Sequence, residues 1–157
     1  MDLRKITKSI ILFFFLVLIL GCAATDTEKK ETKIRITEDN IEKICGVQWI
    51  VKEMTTDGVT AELTSEPPFV QFETSGKLAG FASVNRFFGS FRIDDTGRIE
   101  LSPTGATMMA GPEDQMAQEM AFLKTFQKVE GFYLDGIFLR GKFKDNECRL
   151  VFYLPVH

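Results

Sequence analysis

Beyond residue 46 the chain alternates apolar and polar residues with a period of two, and only one long stretch changes to a helical period. Val47, Trp49 and Val51 alternate with Gln48 and Lys52, which marks a half-buried strand. Thr55, Thr56, Asp57 and Gly58 read as a turn. Val59, Ala61 and Leu63 alternate weakly until Pro67 and Pro68 stop any strand. Residues 69–73, 78–83, 89–94 and 98–101 read as further strands, with turns at 74–77 and 94–97. Pro103 and Gly105 introduce a loop that carries Thr107, Met108, Met109, Ala110 and Gly111. Pro112 suits a first helical position, and Glu113 and Asp114 complement the helix dipole there. Met116, Met120 and Leu123 then form one apolar row, which Phe122, Phe126 and Val129 widen. Residues 131–135, 137–143 and 148–154 complete the set as strands, the last apolar on both faces like a central or barrel-wall strand. Around eight short strands and one helix predict an α+β fold: a compact antiparallel β-barrel-like (curled sheet) domain with one main α-helix packed on it.

The N-terminus has a different pattern. Arg4, Lys5 and Lys8 precede eleven unbroken apolar residues, Ile10 to Leu20. That run is too short to span a bilayer as a helix but suits the apolar region of a signal peptide. Gly21 directly before Cys22 resembles a lipobox, so residues 1–21 read as a lipoprotein signal peptide and Cys22 as the diacylated new N-terminus. Two or more acyl chains would hold the protein on a membrane, since one chain is marginal. Ala23 follows the cysteine rather than Asp, which points to the outer membrane, facing the periplasm, in a Gram-negative host. Residues 22–45 read as the lipidated Cys and a polar tether, with one helical turn available at 38–45, and 46–157 as the folded domain.

Loss of the leader removes Arg4, Lys5, Lys8 and Asp2 and moves the net charge from −3 to −5. Lys29, Lys30, Lys33 and Arg35 are interleaved with Glu28, Glu31 and Glu38, so no basic block stands out and nucleic acid is not an expected partner. Cys45 and Cys148 remain after lipidation, and an even pair in an exported domain reads as a disulfide candidate. Such a bridge would close a loop of about 100 residues, with up to ~4–5 kcal/mol in the chain-entropy model.

Candidate chemistry is sparse. His157 is the only histidine and the last residue, a poor place for an oriented general base. No nucleophile elbow or zinc-type Cys/His cluster is present in the sequence. Asp57, Asp94 and Asp95 lack EF-hand spacing and read as turn formers. Met108, Met109, Met116 and Met120 could offer thioethers to Cu(I), but methionines four apart on an apolar helix face read as core filler. A second reading makes Met116, Met120, Leu123 and Phe126 the lining of an apolar ligand site. Glu119 reads as a structural hydrogen-bond acceptor. Asn85 has two readings: a buried side chain satisfying loop backbone near Thr107, or a ligand contact at the barrel mouth. No enzyme, cofactor or metal site is expected.

Several of these residues stand in a recognisable order. Trp49 opens the domain; Gly80, Asn85, Phe87 or Phe88, and Gly89 resemble a Gly…Cys-Asn-x-Phe-x-Gly segment. Thr107, Met109 and Ala110 resemble Thr-x-Met-Ala-Cys, and Glu119 with Phe122 and Leu123 resembles the helix of the same family, the META/HslJ family of small bacterial envelope domains. Where many members carry cysteines, this chain has Val84 and Gly111, both missing together as a bonded pair would be. The resemblance implies a barrel-like α+β domain and stress-linked outer-membrane lipoproteins, similar in shape to secretion pilotins that hold a lipid tail. The leading expectation is therefore a non-enzymatic outer-membrane lipoprotein that supports envelope integrity or stress tolerance through a protein partner. Two alternatives stand beside it: a carrier of lipid or another hydrophobic ligand, and an inhibitor or chaperone of envelope proteins acting through residues 59–68.

Overall fold

Alternation sets the wall of the fold. In β2 (Gln48–Thr56) Trp49, Val51 and Met54 are buried while Gln48 and Lys52 face water. β4 (Phe69–Phe72) buries Val70 and Phe72, and β5 (Lys77–Phe81) buries Leu78 and Gly80. β6 (Arg86–Ile93) buries Phe87, Phe91 and Ile93, and pairs with β7 (Ile99–Ala106). β8 (Gly131–Asp135), β9 (Phe138–Lys142) and β10 (Arg149–Tyr153) follow the single long helix, α1 (Glu113–Gln127). The short strands β1 (Ile34–Arg35) and β3 (Val59–Thr60) pair with β8 and β2. This computed structural model describes residues 33–155; the leader 1–21, Cys22, most of the tether and His157 lie outside the described residues.

The strands form one antiparallel sheet in the order β1-β8-β9-β10-β2-β4-β5-β6-β7, with β3 attached to β2. It curls without closing. Two backbone bonds draw the two ends together: Ile99 N–H to Glu130 C=O at 3.0 Å and Glu38 N–H to Asp94 C=O at 3.2 Å; Ile36 N–H to Phe132 C=O at 2.9 Å extends the β1–β8 ladder beside them. Gly131 makes this approach feasible, since a Cβ there would lie 2.6 Å from the Gly97 carbonyl oxygen. β7 ends at Ala106, and α1 carries the chain back to Glu130 beside the start of β7. The helix packs against β2 and β10, with Thr125 bonded to Thr56 of β2.

Phenylalanines fill the interior. Phe72 meets Phe91 edge-on at 5.1 Å and Phe132 at 5.6 Å, while Phe87 lies 5.7 Å from Phe122 and 5.9 Å from Phe126. The Trp49 indole N–H donates to the buried Ile44 carbonyl at 2.9 Å, which satisfies the polar end of the largest core side chain.

Four sequence expectations change. The folded body starts before residue 46: Ile34 and Arg35 form β1, Ile36 and Ile44 are fully buried, and a 3₁₀ helix occupies Glu38–Lys43. Isolated isoleucines in a polar stretch are too few to show as a pattern, yet Ile36 and Ile44 enter the core while Ile34 stays exposed. β7 also continues through Pro103 to Ala106, where a loop is expected, because an edge strand tolerates a missing N–H on its open side. Its register shifts between Phe88 and Gly89, a bulge in the β6–β7 ladder. Pro112 caps α1 rather than occupying its first turn. Finally, the core row of the helix is Gln118, Glu119, Phe122, Thr125 and Phe126, not Met116, Met120 and Leu123.

Candidate functional site

The β5–β6 hairpin turns through Ala82, Ser83, Val84 and Asn85, closed by a 2.8 Å bond from the Ala82 N–H to the Asn85 carbonyl. Ser83 takes φ 120°, a left-handed conformation that a non-glycine residue holds only when its surroundings fix it. Two adjacent helix residues supply that fixing. Glu119 Oε2 accepts from the backbone N–H groups of Val84 at 3.2 Å and Asn85 at 2.7 Å, and Oε1 accepts from Asn85 Nδ2 at 2.9 Å. Gln118 Nε2 donates to Ser83 Oγ at 2.6 Å, Thr64 Oγ1 at 2.9 Å and the Glu66 carbonyl at 2.9 Å, while its Oε1 accepts from the Thr64 N–H at 2.8 Å.

Asn85 extends the network to the loop after β7. Its Oδ1 accepts from Thr107 Oγ1 at 2.9 Å and the Met109 N–H at 2.8 Å, and Nδ2 also donates to the Met109 carbonyl at 3.2 Å. The side-chain amide thus spends both lone pairs and both N–H groups on the protein. With Asn85 only 4% and Glu119 8% exposed, neither has a free polar atom aimed at solvent. The arrangement is a staple that ties α1, the β5–β6 turn, the 64–66 loop and the 107–109 loop together. It corresponds to the satisfied-backbone reading of Asn85 and the acceptor reading of Glu119.

The other motif residues serve this corner or the wall behind it. A Cβ on Gly80 would lie 2.3 Å from the Phe69 carbonyl oxygen and 2.5 Å from the Phe87 ring, so only glycine admits that ring. A Cβ on Gly111 would lie 3.4 Å from the Val84 Cβ, close to the Cβ separation of bonded cysteines. The two positions where the family resemblance implies a cysteine pair are therefore neighbours. Ala110 is exposed, and Trp49 stands apart from the staple, in the core beside Ile44. Gln118 and Ser83 escaped the sequence reading; the adjacency of Gln118 to Glu119 on the inward face was the available signal.

Apolar side chains surround the staple on the outside. Met108 is 98% exposed, Met120 70%, Met109 55% and Phe88 53%, and each lies within three residues of a staple member in sequence. The expected role of Met120 as core filler is thus corrected: its row flanks the core face of α1. Next to this surface, between the C-terminal half of α1 and the β5–β7 wall, an apolar cleft of about 360 Å³ is lined by Leu78, Phe87, Leu101, Ala106, Leu123 and Phe126, among others. Of the four residues expected to line an apolar site, Leu123 and Phe126 do so. Met116 and Met120 lie on the same face of α1, nearer its N-terminus.

The expected disulfide is also corrected. Cys45 and Cys148 are free thiols. Cys45 bridges to Phe72 at the start of β2, and Cys148 precedes Arg149, which pairs with Thr55 at the far end of that strand. The nine residues of β2 span roughly 30 Å, whereas bonded cysteines need Cα atoms within about 7 Å. Burial, reinforced by Glu42, pushes the Cys45 thiol above its ordinary pKa. Cys148 Sγ instead sits 3.7 Å from Lys128 Nζ. Lys124 and Lys128 both bind Asp57 in the β2–β3 turn, and their hydrogen bonds hold its carboxyl down at about 2. Among the described residues no group of three or more His, Cys, Asp or Glu side chains is placed to hold a metal, and no helix is long and apolar enough to cross a membrane.

Solved structures share this architecture. A protein from Burkholderia xenovorans, solved by NMR, is 20% identical over 77% of this chain and 90% of its own, with a TM-score of 0.61. A DUF4847 family protein from Bacteroides vulgatus is 12% identical over 71% of this chain and 94% of its own, with a TM-score of 0.54. No curated protein matches the sequence. The META domain profile matches residues 42–152, the stretch that contains the whole staple, and the chain belongs to the META domain family.

Proposed function

We propose that this protein is a non-enzymatic outer-membrane lipoprotein, anchored through Cys22, whose META domain supports envelope integrity by binding a protein partner. The observation that carries this reading is the group of exposed apolar side chains, Phe88, Met108, Met109 and Met120, set around a rigid hydrogen-bonded corner. Methionine-rich exposed surface is adaptable and typical of protein recognition. The staple itself offers a substrate no unused acid or base, since Glu119 and Asn85 are committed to backbone and to each other. Site-specific photocrosslinking in cells, with the probe at Met109, Met120 or the remote exposed Lys77, tests the reading. One discrete adduct at both methionines and none at Lys77, together with lost envelope-stress tolerance in Met109→Glu/Met120→Glu, is the expected result. Full tolerance in that double variant would overturn it.

The cleft favours a second reading, a carrier for a lipid or other hydrophobic ligand. Its volume of about 360 Å³ lies within the ~300–1,000 Å³ of small-molecule sites. Native mass spectrometry separates the two readings: a lipid-sized adduct lost in Phe126→Asp supports the carrier, and a bare mass leaves the partner reading alone.

A further inference from the structure

Where the curled sheet nearly meets itself, a polar pocket of about 290 Å³ is lined by Arg35, Thr96, Gly97, Arg98, Glu130 and Lys142. Its three cations come from separate parts of the chain: β1, the β6–β7 turn and β9. They converge because two glycines let the turn and strands touch. A Cβ on Gly97 would lie 2.6 Å from the Ile36 carbonyl oxygen and 3.1 Å from the stem of Arg35, and one on Gly131 would strike the Gly97 carbonyl. The seam bonds from Glu38 and Ile99 fix this geometry. Arg35 is held further by its guanidinium packing over the Tyr133 ring at 5.9 Å.

Charge in the pocket is not balanced internally. Lys124, Lys128, Arg140 and Arg149 form ion pairs with Asp57, Asp135 and Glu53, whereas no such pair involves Arg35, Arg98 or Lys142 among the described residues. Glu130 in the pocket and the Asp94 carboxylate, which acts on Arg98, offset two of the three charges and leave a local excess of one on a chain whose overall charge is −3. The backbone donors nearby are already used, because Asp94 Oδ1 accepts from the Thr96 and Arg98 N–H groups. Any ligand must therefore meet the side chains. A tetrahedral group with at least one negative charge and three or more acceptor oxygens matches three such donors and the remaining positive charge.

We infer that the Arg35–Arg98–Lys142 pocket binds a phosphate group. β1 is the first described strand, so the pocket lies where the tether enters the domain. If the proposed anchor at Cys22 holds, lipid phosphates are within reach of this face; free inorganic phosphate is the other source.

The test uses the full chain in phosphatidylcholine nanodiscs, with NMR of the Gly97, Arg98, Gly131 and Lys142 amides. Inorganic phosphate is titrated in one arm, and phosphatidylglycerol is mixed into the discs in the other. Saturable shifts in the phosphate arm identify a free-phosphate site, and shifts in the phosphatidylglycerol arm a headgroup site. In either, Arg98→Gln and Lys142→Gln each weaken the response about tenfold, while Arg92→Gln on the outer face of β6 leaves it unchanged. The proposal is overturned if neither arm moves these amides, if sodium chloride at equal ionic strength moves them equally, or if Arg92→Gln weakens the response as much as Arg98→Gln.

Discussion

The two halves of α1 hold the same sheet by different physics. At the N-terminal half Gln118 and Glu119 face inward and are fixed by seven hydrogen bonds to the hairpin and loops around them. At the C-terminal half Phe122 and Phe126 stack on each other at 5.5 Å and pack against Phe87, with Thr125 bonded to Thr56. Directional bonds admit one geometry, and a missing partner leaves buried polar groups unsatisfied. Apolar packing tolerates gaps, and the open cleft lies beside this half. The family motif therefore concentrates where geometry is least forgiving, while the surfaces open to ligands lie beside it.

The largest effect should come from the polar half. Glu119→Ala strands the Val84 and Asn85 N–H groups in a buried site, and denaturant unfolding should show a loss of about 4 kcal/mol. The same corner can be strengthened by restoring a covalent link. Val84→Cys with Gly111→Cys should form a disulfide under oxidation and raise stability by about 3–4 kcal/mol, with no gain under reducing conditions. Phe126→Ala, in the apolar half, should cost about 3 kcal/mol, at the low end for a buried phenylalanine because the cleft beside it lets the site relax.

The smallest effect lies at the far end of the helix. Its carboxyl ordinarily near 3.8, Asp57 is held at about 2 by Lys124 and then Lys128. A folded-state pKa below the unfolded value contributes stability that is present above about 4 and is lost as pH falls from there to about 2. Asn tolerates the φ of 49° at this position, so Asp57→Asn should flatten the acid limb of a stability–pH curve in that window and leave the curve's shape near neutrality unchanged.

Much of this contrast was legible in the chain. Period-two alternation located most strands, the acidic first turn located α1, and the order of Gly80, Asn85, Gly89, Thr107 and Glu119 identified the family. What escaped depends on tertiary placement. Ile36 and Ile44 look like stray apolar residues in a tether until the sheet curls over them. Two cysteines make an even pair in sequence, but the antiparallel register sets them at opposite ends of β2. Met120 shares the spacing of the core row, yet the inward places are taken by Gln118 and Glu119, because the hairpin turn presents N–H groups that need acceptors. Arg35, Arg98 and Lys142 are separated by tens of residues, and only the seam between the sheet's two ends gathers them.

The unfolding free energy of Asn85→Ala tests most directly whether the motif is a staple. The account predicts a loss of about 3 kcal/mol with an unchanged denaturant slope, since the substitution strips partners from Glu119, Thr107 and both backbone groups of Met109. Stability within about 0.5 kcal/mol of the parent would contradict it and place Asn85 among ligand-contacting residues instead.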